Sequence, residues 1–168
     1  MNINLCSGQR PFDSRLWVNI DVNPKWQPEV VADGASMPMF ADGSADVIVI
    51  HHGVEHAGCG EATPMIRECH RILRMGGSLL VFVPDMRALA QMYLEGVLST
   101  QVYMTNVYGA FMSDEADRHK WGYDRTSLHK FLKESAPWSR VQGFDWRTIE
   151  GADIAGPARW ILSCEAIK

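Results

Sequence analysis

The stretch Asn2–Asp33 contains three short runs typical of β-strands: NINLCSG at 2–8, WVNIDV at 17–22 and EVVAD at 29–33. Each run ends in residues able to contact a ligand, namely Ser7 and Gly8, then Asp21, then Asp33. The carboxyl ends of strands in an open parallel α/β sheet line the ligand crevice. We therefore expect these residues to share one edge of such a sheet.

The types of residue at these ends suggest what the ligand is. Gly8 has no side chain, so a ligand can come close to its backbone. Asp21, at the end of the next strand, is placed to accept hydrogen bonds from a ribose diol. Asp33, after the third strand, could accept a hydrogen bond from the amino group of an adenine. Together they predict a nucleoside site.

A strand–helix–strand unit follows the three runs. The segment Ala45–Ile50 ends in the run Val47–Ile50, rich in β-branched residues, which is typical of a strand buried on both faces. Ser78–Val83 is predicted to be a second such strand. Between them, about Glu61–Leu73, apolar residues recur at helical spacing, and Gly76–Gly77 is predicted to end this helix. The link Gln9–Leu16 is too short for an ordinary crossover helix. Either a single helical turn lies near Asp13–Leu16, which we favour, or the strand pairing is unusual.

The other predicted elements follow in chain order: a strand at Glu29–Ala32 within the first stretch, helices at Met86–Leu98 and Gln101–Tyr108, a polar irregular segment at 109–122, a helix at Arg125–Glu134 capped by Asp124, and strands at Val141–Trp146 and Arg159–Ile167. The last two strands are expected to form an antiparallel pair at one sheet edge. The whole pattern predicts one α/β domain over residues 1–168, doubly wound around a mostly parallel seven-stranded sheet.

Composition excludes several classes of protein. The chain has 168 residues, of which 46% are hydrophobic, and a net charge of −4. It therefore lacks the overall positive charge that would predict binding to nucleic acid or to an anionic membrane. No apolar run approaches membrane-spanning length, and no signal peptide opens the sequence. Four widely spaced cysteines predict free thiols in a reducing compartment, and therefore a cytoplasmic protein.

Four motifs of the chain, which occur in the same order as in the family, resemble those of the class I S-adenosylmethionine-dependent methyltransferases. The resemblance covers residues 3–85. The matching segments are Asp33-Gly34-Ala35-Ser36-Met37-Pro38 after the third strand, Asp42-Gly43-Ser44-Ala45-Asp46 before the fourth, His52-Gly53-Val54-Glu55-His56 after it, and Arg71-Ile72-Leu73-Arg74-Met75-Gly76-Gly77 before the fifth.

The resemblance implies a Rossmann-like methyltransferase fold, S-adenosylmethionine as cofactor, and a role for each matching residue. The Cys6–Ser7–Gly8 loop would lie under the methionine part of the cofactor, and Asp21 would bind the ribose hydroxyls. Asp33 and the N–H of Gly34 would read adenine. His51 and His52 would lie beside the transferable methyl group.

The chain also departs from the family's pattern. Cys6 and Ser7 precede a single glycine, Gly8, where the family usually has two or three, and the Cβ of Cys6 disfavours a positive φ. The first predicted strand begins almost at the first residue, so we expect the cofactor to be covered by something other than the helices that precede this strand in the family. We expect residues 86–123, a helical and loop insertion, to cover the pocket, with the partner of a homodimer as the second candidate.

His52 is the leading candidate for a catalytic base, and His119 is the second. His51, His52, His56 and Cys59 could suggest a metal site, but neighbouring histidines project in different directions and no second cysteine completes a known spacing. The sequence therefore predicts no metal.

The interpretation is an S-adenosylmethionine-dependent methyltransferase acting on a small-molecule or sugar-type acceptor. No Asn/Asp-Pro-Pro-Tyr/Phe motif follows the fourth strand, which disfavours amino methylation of adenine or glutamine by that route. A non-catalytic binding module of the same fold, acting through protein or nucleoside contacts, is the alternative. A nicotinamide dehydrogenase is set aside, because it needs G-x-G-x-x-G and an acid about 20 residues on.

Overall fold

The computed structural model describes residues 1–110, 117–144 and 159–168. The strands are β1 (Asn2–Leu5), β2 (Trp17–Asp21), β3 (Val30–Val31), β4 (Ala45–His51), β5 (Leu73–Pro84), β6 (Arg140–Gly143) and β7 (Ile161–Ile167). The α-helices are α1 (Thr63–Ile72), α2 (Met86–Leu94), α3 (Thr100–Tyr108) and α4 (Arg125–Ser135). Short 3₁₀ turns lie at Pro24–Trp26 and Val54–His56.

The strands form one sheet in the order β3-β2-β1-β4-β5-β7-β6. The first five strands are parallel, and β7 runs antiparallel to both β5 and β6. This confirms the predicted fold class, including the antiparallel pair at the edge. The strand order reverses between β1 and β4, and a crevice opens beyond the carboxyl ends of the strands at such a point.

The two faces of the sheet are covered differently. Because successive side chains of a strand alternate, Ile48 and Ile50 pack in the large core cluster with residues of α1 and α4, whereas Val49 faces the other side. There it joins a smaller cluster with Phe12 and Trp17, whose rings meet edge to face at 5.1 Å. The link between β1 and β2 therefore covers part of this face.

That link contains the short turn expected near Asp13–Leu16. The Asp13 carbonyl accepts the N–H groups of Leu16 and Trp17 at 2.9 and 3.0 Å, and β1 and β2 pair in parallel without a crossover helix. The Asn4 and Asn19 side chains bond each other at 2.7 Å, and the Asn19 amide oxygen also accepts the Phe12 N–H. The buried asparagines thus fix the link against the sheet.

The predicted helix stop at Gly76–Gly77 is wrong. Helix α1 ends at Ile72, and Leu73 is already extended. The pairing of β4 with β5 shifts register between Ala45 and Val47, so the glycines serve an irregularity within β5. Gly76 has φ +74°, and a Cβ on Gly77 would lie 2.9 Å from the Asp46 carbonyl oxygen.

Other boundaries also differ from the predictions. Helix α2 ends at Leu94, four residues before the predicted end, and Gly96 then turns with φ +72°. Strands β3 and β7 are shorter than predicted, and residues 145 and 146 of the predicted sixth strand lie outside the described residues. The cap of α4 is confirmed, because Asp124 and Ser127 form a reciprocal capping box.

The cysteines are free thiols, as predicted. Cys69 and Cys164 are buried, Cys6 is partly buried and Cys59 is exposed. Within residues 1–110, 117–144 and 159–168, no helix has the length and apolar character needed to cross a membrane.

Candidate functional site

The loop after β1 has a backbone that usually needs glycine. Cys6 lies at φ +59° and Gly8 at φ +49°, both in the left-handed region. A residue with a Cβ pays about 1–2 kcal/mol there. Cys6 thus adopts the positive φ that its Cβ disfavours, and the chain carries that strain next to the crevice.

The thiol of Cys6 is held in its neutral form. Burial, with added effects of the Asp21, Glu55 and Asp33 charges, raises its pKa to about 12. A thiol with that pKa is a poor nucleophile at neutral pH, because the thiolate is the reactive form. Cys6 thus contributes shape to the site, and its Sγ and Cβ pack against the backbone of Gly53.

Asp21 is tied directly to this loop. Its Oδ2 accepts the N–H of Gly8 at 2.8 Å, and its Oδ1 accepts the N–H of Asn23 at the same distance. The residue is only 9% exposed. The carboxylate therefore stabilises the loop, and each oxygen keeps a further lone pair that could accept a hydroxyl.

Asp33 and Gly34 have structural explanations of their own. Asp33 is exposed, and its Oδ1 accepts the Ala35 N–H at 2.9 Å in a local turn. Gly34 is buried, and a Cβ there would lie 3.1 Å from Cγ of Met65 and 3.3 Å from Cδ2 of Leu5. Their assignment to adenine stays a prediction.

A cavity of about 400 Å³ opens at the carboxyl ends of β1 and β4. Six residues predicted for the site line it: Cys6, Ser7, Gly8, His51, His52 and His119. Asp21, Asp33 and Gly34 do not line it. Four other lining residues, Thr105, Asn106, Ala110 and Asp117, belong to the segment 86–123 that was expected to cover the pocket, and His56 belongs to the motif after the fourth strand. The sequence did not indicate the remaining lining residues, Asn4, Gln9, Arg10 and Trp26.

His51 and His52 differ in environment although they are neighbours. His51 is 9% exposed, and burial, with the nearby His52 and Arg10, lowers its pKa to about 3, so it is neutral at physiological pH. His52 has φ +56° and bonds Oε1 of Glu55 through Nδ1 at 2.9 Å. The left-handed backbone at His52 turns the chain sharply where β4 ends.

Glu55 orients the ring of His52. Burial raises the pKa of Glu55, but the hydrogen bond from His52 and the nearby His119 and His56 outweigh burial, and the pKa is lowered overall. An ionised carboxylate only accepts hydrogen bonds, so Nδ1 of His52 carries the proton and Nε2 keeps a basic lone pair. The pairing of Glu55 with His52 was not predicted from the sequence.

His119 lines the cavity although it lies more than sixty residues after His52 and His56 in the sequence. Its Nδ1 bonds the carbonyl of Asn106 in α3 at 2.8 Å, and its backbone N–H bonds Tyr108. The following N–H groups, of Lys120 and Trp121, bond the carbonyl of Glu55. Burial lowers the pKa of the His119 ring. This segment forms one wall of the cavity.

One group of potential metal ligands occurs in the described part of the chain. It consists of Glu55, His56 and His119, and one ligand atom of each lies within 4.8 Å of the others. It is a different set from the His51, His52, His56 and Cys59 group that the sequence suggested. Only His56 belongs to both.

Comparisons with known proteins agree with the sequence motifs. The family model of the methyltransferase domain matches residues 15–81. A sequence search against curated proteins found no match.

Solved structures match the fold over nearly the whole chain. An S-adenosylmethionine-dependent methyltransferase from Archaeoglobus fulgidus is similar with a TM-score of 0.61 and 15% identity, covering 99% of this chain and 85% of that one. A protein from Pyrococcus horikoshii is similar with a TM-score of 0.63 and 14% identity, covering 99% and 80%.

A third structure is 1,6-didemethyltoxoflavin-N1-methyltransferase from Burkholderia thailandensis, with 1,6-didemethyltoxoflavin and S-adenosylhomocysteine bound. It is similar with a TM-score of 0.58 and 12% identity, covering 99% of this chain and 70% of that one. Together with the family model, these similarities confirm the resemblance to the class I methyltransferases.

Proposed function

We propose that this chain, similar to the class I methyltransferases in its motifs and its fold, binds S-adenosylmethionine and methylates a small polar acceptor. One observation carries the proposal. The cavity at the reversal point of the sheet is lined by the Cys6–Gly8 loop on one side and by His51 and His52 on the other. The predicted cofactor loop and the predicted base therefore face the same space.

The residues present fit such a cofactor. A cavity of about 400 Å³ lies within the usual range of small-molecule sites, roughly 300–1,000 Å³. A Cβ built on Gly8 would meet no described atom within 4 Å, so the backbone of this loop borders open space. Asp21 lies against Gly8 and can accept a ribose hydroxyl.

The protein's contribution is placement and proton transfer. S-adenosylmethionine supplies, when bound, a methyl group made electrophilic by its sulfonium. Holding an acceptor in line with that group is an orientation effect, which can contribute several kcal/mol. His52, with its Nδ1 proton held by Glu55, would accept a proton from an oxygen or nitrogen acceptor at Nε2. The residues that line this wall, Thr105, Asn106, Ala110, Asp117 and His119, would limit the access of water.

The lining of the cavity favours a polar acceptor. Asn4, Arg10, Thr105 and Asn106 contribute polar groups to it. Side chains of this kind form hydrogen bonds with hydroxyl groups, which favours a sugar-type acceptor over an apolar one. The Burkholderia thailandensis enzyme, by comparison, holds 1,6-didemethyltoxoflavin.

Calorimetric titration with S-adenosylmethionine and S-adenosylhomocysteine tests the cofactor site. We expect binding of either at micromolar concentration and a stoichiometry of one. His52→Gln should bind both but transfer labelled methyl groups much more slowly to any acceptor found in a screen of polyols and sugars. No binding by protein shown to be folded would refute the proposal and favour the non-catalytic module.

A further inference from the structure

We propose that Glu55, His56 and His119 form a binding site for a divalent transition-metal ion in the wall of the cavity. One ligand atom from each side chain lies within 4.8 Å of the other two. The site goes beyond methyl transfer, and its existence can be tested without the cofactor. Neighbouring residues in sequence supply two ligands, and the third comes from a segment more than sixty residues away.

The first argument is a buried carboxylate that lacks a second partner. Glu55 is 1% exposed, and Oε1 of its carboxylate is bonded to Nδ1 of His52. Its Oε2 is buried and has no hydrogen-bond partner in the part of the chain that the structure describes, and the same holds for Nδ1 of His56. Leaving a buried charged acceptor unsatisfied is costly, and coordination of a cation removes that cost.

The second argument is the orientation of His119. A carbonyl only accepts hydrogen bonds, so Nδ1 of His119 must donate to the carbonyl of Asn106 at 2.8 Å. This fixes the tautomer and leaves the lone pair of Nε2 available. Metal-binding histidines almost always donate their other N–H to a carbonyl or carboxylate in this way.

The ligand types define the ion. Two imidazole nitrogens and one carboxylate oxygen suit zinc and its first-row neighbours, whereas magnesium and calcium prefer oxygen ligands. Tetrahedral coordination at about 2.1 Å sets ligand atoms about 3.4 Å apart, so the side chains would close in by up to about 1.4 Å. Rotation of the side chains can supply that movement.

Three protein ligands leave a coordination position open. His56 and His119 both line the cavity, so that position faces the space proposed for the acceptor. A water or an acceptor oxygen could occupy it. In this arrangement His119 coordinates the ion and does not act as a base, which leaves His52 as the proton acceptor of the proposed function.

The test uses untagged protein stripped with a chelator and titrated with Co²⁺, whose visible absorption reports coordination by the protein. We expect one ion per chain, displaced by Zn²⁺, in the absence of S-adenosylmethionine. Glu55→Gln and His119→Gln should each weaken Co²⁺ binding by more than roughly 100-fold. Mutating a residue that only hydrogen-bonds to a metal ligand already lowers metal affinity by about 10–100-fold, and these two residues would be ligands themselves. His70→Gln, a histidine packed on Trp138, is the matched control and should bind as the unaltered chain does.

Two outcomes would overturn the site: no bound Co²⁺ in folded protein, or binding that survives His119→Gln. The first would mean that the hydrogen bond from His52 suffices for the carboxylate of Glu55. The second would mean that the ion binds elsewhere on the chain. If Glu55→Gln fails to fold, His119→Gln alone decides, because its ring borders the cavity. Failure here with intact binding of S-adenosylmethionine would leave the proposed function standing, and the reverse result would leave the metal site standing.

Discussion

Replacing Asp21 with asparagine tests the loop and the cofactor assignment together. The carboxylate accepts two backbone N–H groups, from Gly8 and Asn23, each at 2.8 Å. Asparagine has one oxygen, so its NH₂ group would face one of these N–H donors. One charge-assisted hydrogen bond is lost, and a partly buried N–H donor then faces another donor.

The expected loss in unfolding free energy is about 1.5–3 kcal/mol, the usual range for hydrogen bonds to charged groups. Little of it should be recovered from solvent, because Asp21 is only 9% exposed. For a domain of this size, the melting temperature should fall by roughly 3–12 °C. Losing a ribose contact of similar strength should weaken S-adenosylhomocysteine binding by roughly 10–100-fold.

Urea unfolding measures the first effect, and calorimetric titration of the folded variant measures the second. Asp42→Asn is the matched control, because Asp42 has an 81% exposed side chain paired with Arg71. An exposed pair of this kind contributes about 0–1 kcal/mol. Unchanged stability of Asp21→Asn would refute the role of Asp21 in the loop. Unchanged affinity in the folded variant would refute the ribose assignment.

Three further variants test the packing around the site. Gly53→Ala places a Cβ 2.6 Å from Cγ2 of Ile50 and should lower stability by about 1–3 kcal/mol in urea unfolding; an unchanged midpoint would contradict this packing. Arg71→Ala removes the hydrogen bonds that Nη1 and Nη2 donate to the carbonyls of Phe40 and Met37, in the loop before β4. Amide hydrogen exchange in that loop should become faster, and equal exchange rates in the two proteins would contradict this role of Arg71. The amino terminus and Arg74 lower the pKa of Asp46 to about 2, so the ionised carboxylate stabilises the fold above about pH 4, its pKa in an unfolded chain, and this stabilisation is lost as pH falls toward 2. In urea unfolding between pH 4 and pH 2, Asp46→Asn should therefore lose less unfolding free energy than the unaltered chain. Parallel curves of unfolding free energy against pH for the two proteins would exclude the effect.

The two strands expected to be buried on both faces were not predicted equally well, because β5 begins at Leu73, five residues before the predicted Ser78–Val83. The run Ala45–Ile50 differs from β4 by one residue, because consecutive β-branched residues leave little alternative to a central strand. The end of α2 was predicted four residues late. Gly96 was a usable signal, since glycine often follows a helix C-terminus, but the helical pattern of apolar residues continued past it.

The candidate site was predictable only where it depends on strand ends. The Cys6–Gly8 loop and the pair His51 and His52 follow β1 and β4, and adjacent parallel strands bring their ends together. The approach of His119 to Glu55 depends on how α2, α3 and the segment after them pack. No local pattern encodes that packing, so the contact could not be read from the sequence.

The uneven burial of the four thiols provides a labelling site without engineering. Cys69 and Cys164 are buried, and burial raises the pKa of Cys6 to about 12, so a maleimide should react first with the exposed Cys59. Cys59 lies three residues after His56, which lines the cavity. A fluorophore attached there would sit close to the cavity rim and could report ligand binding in real time on the native sequence.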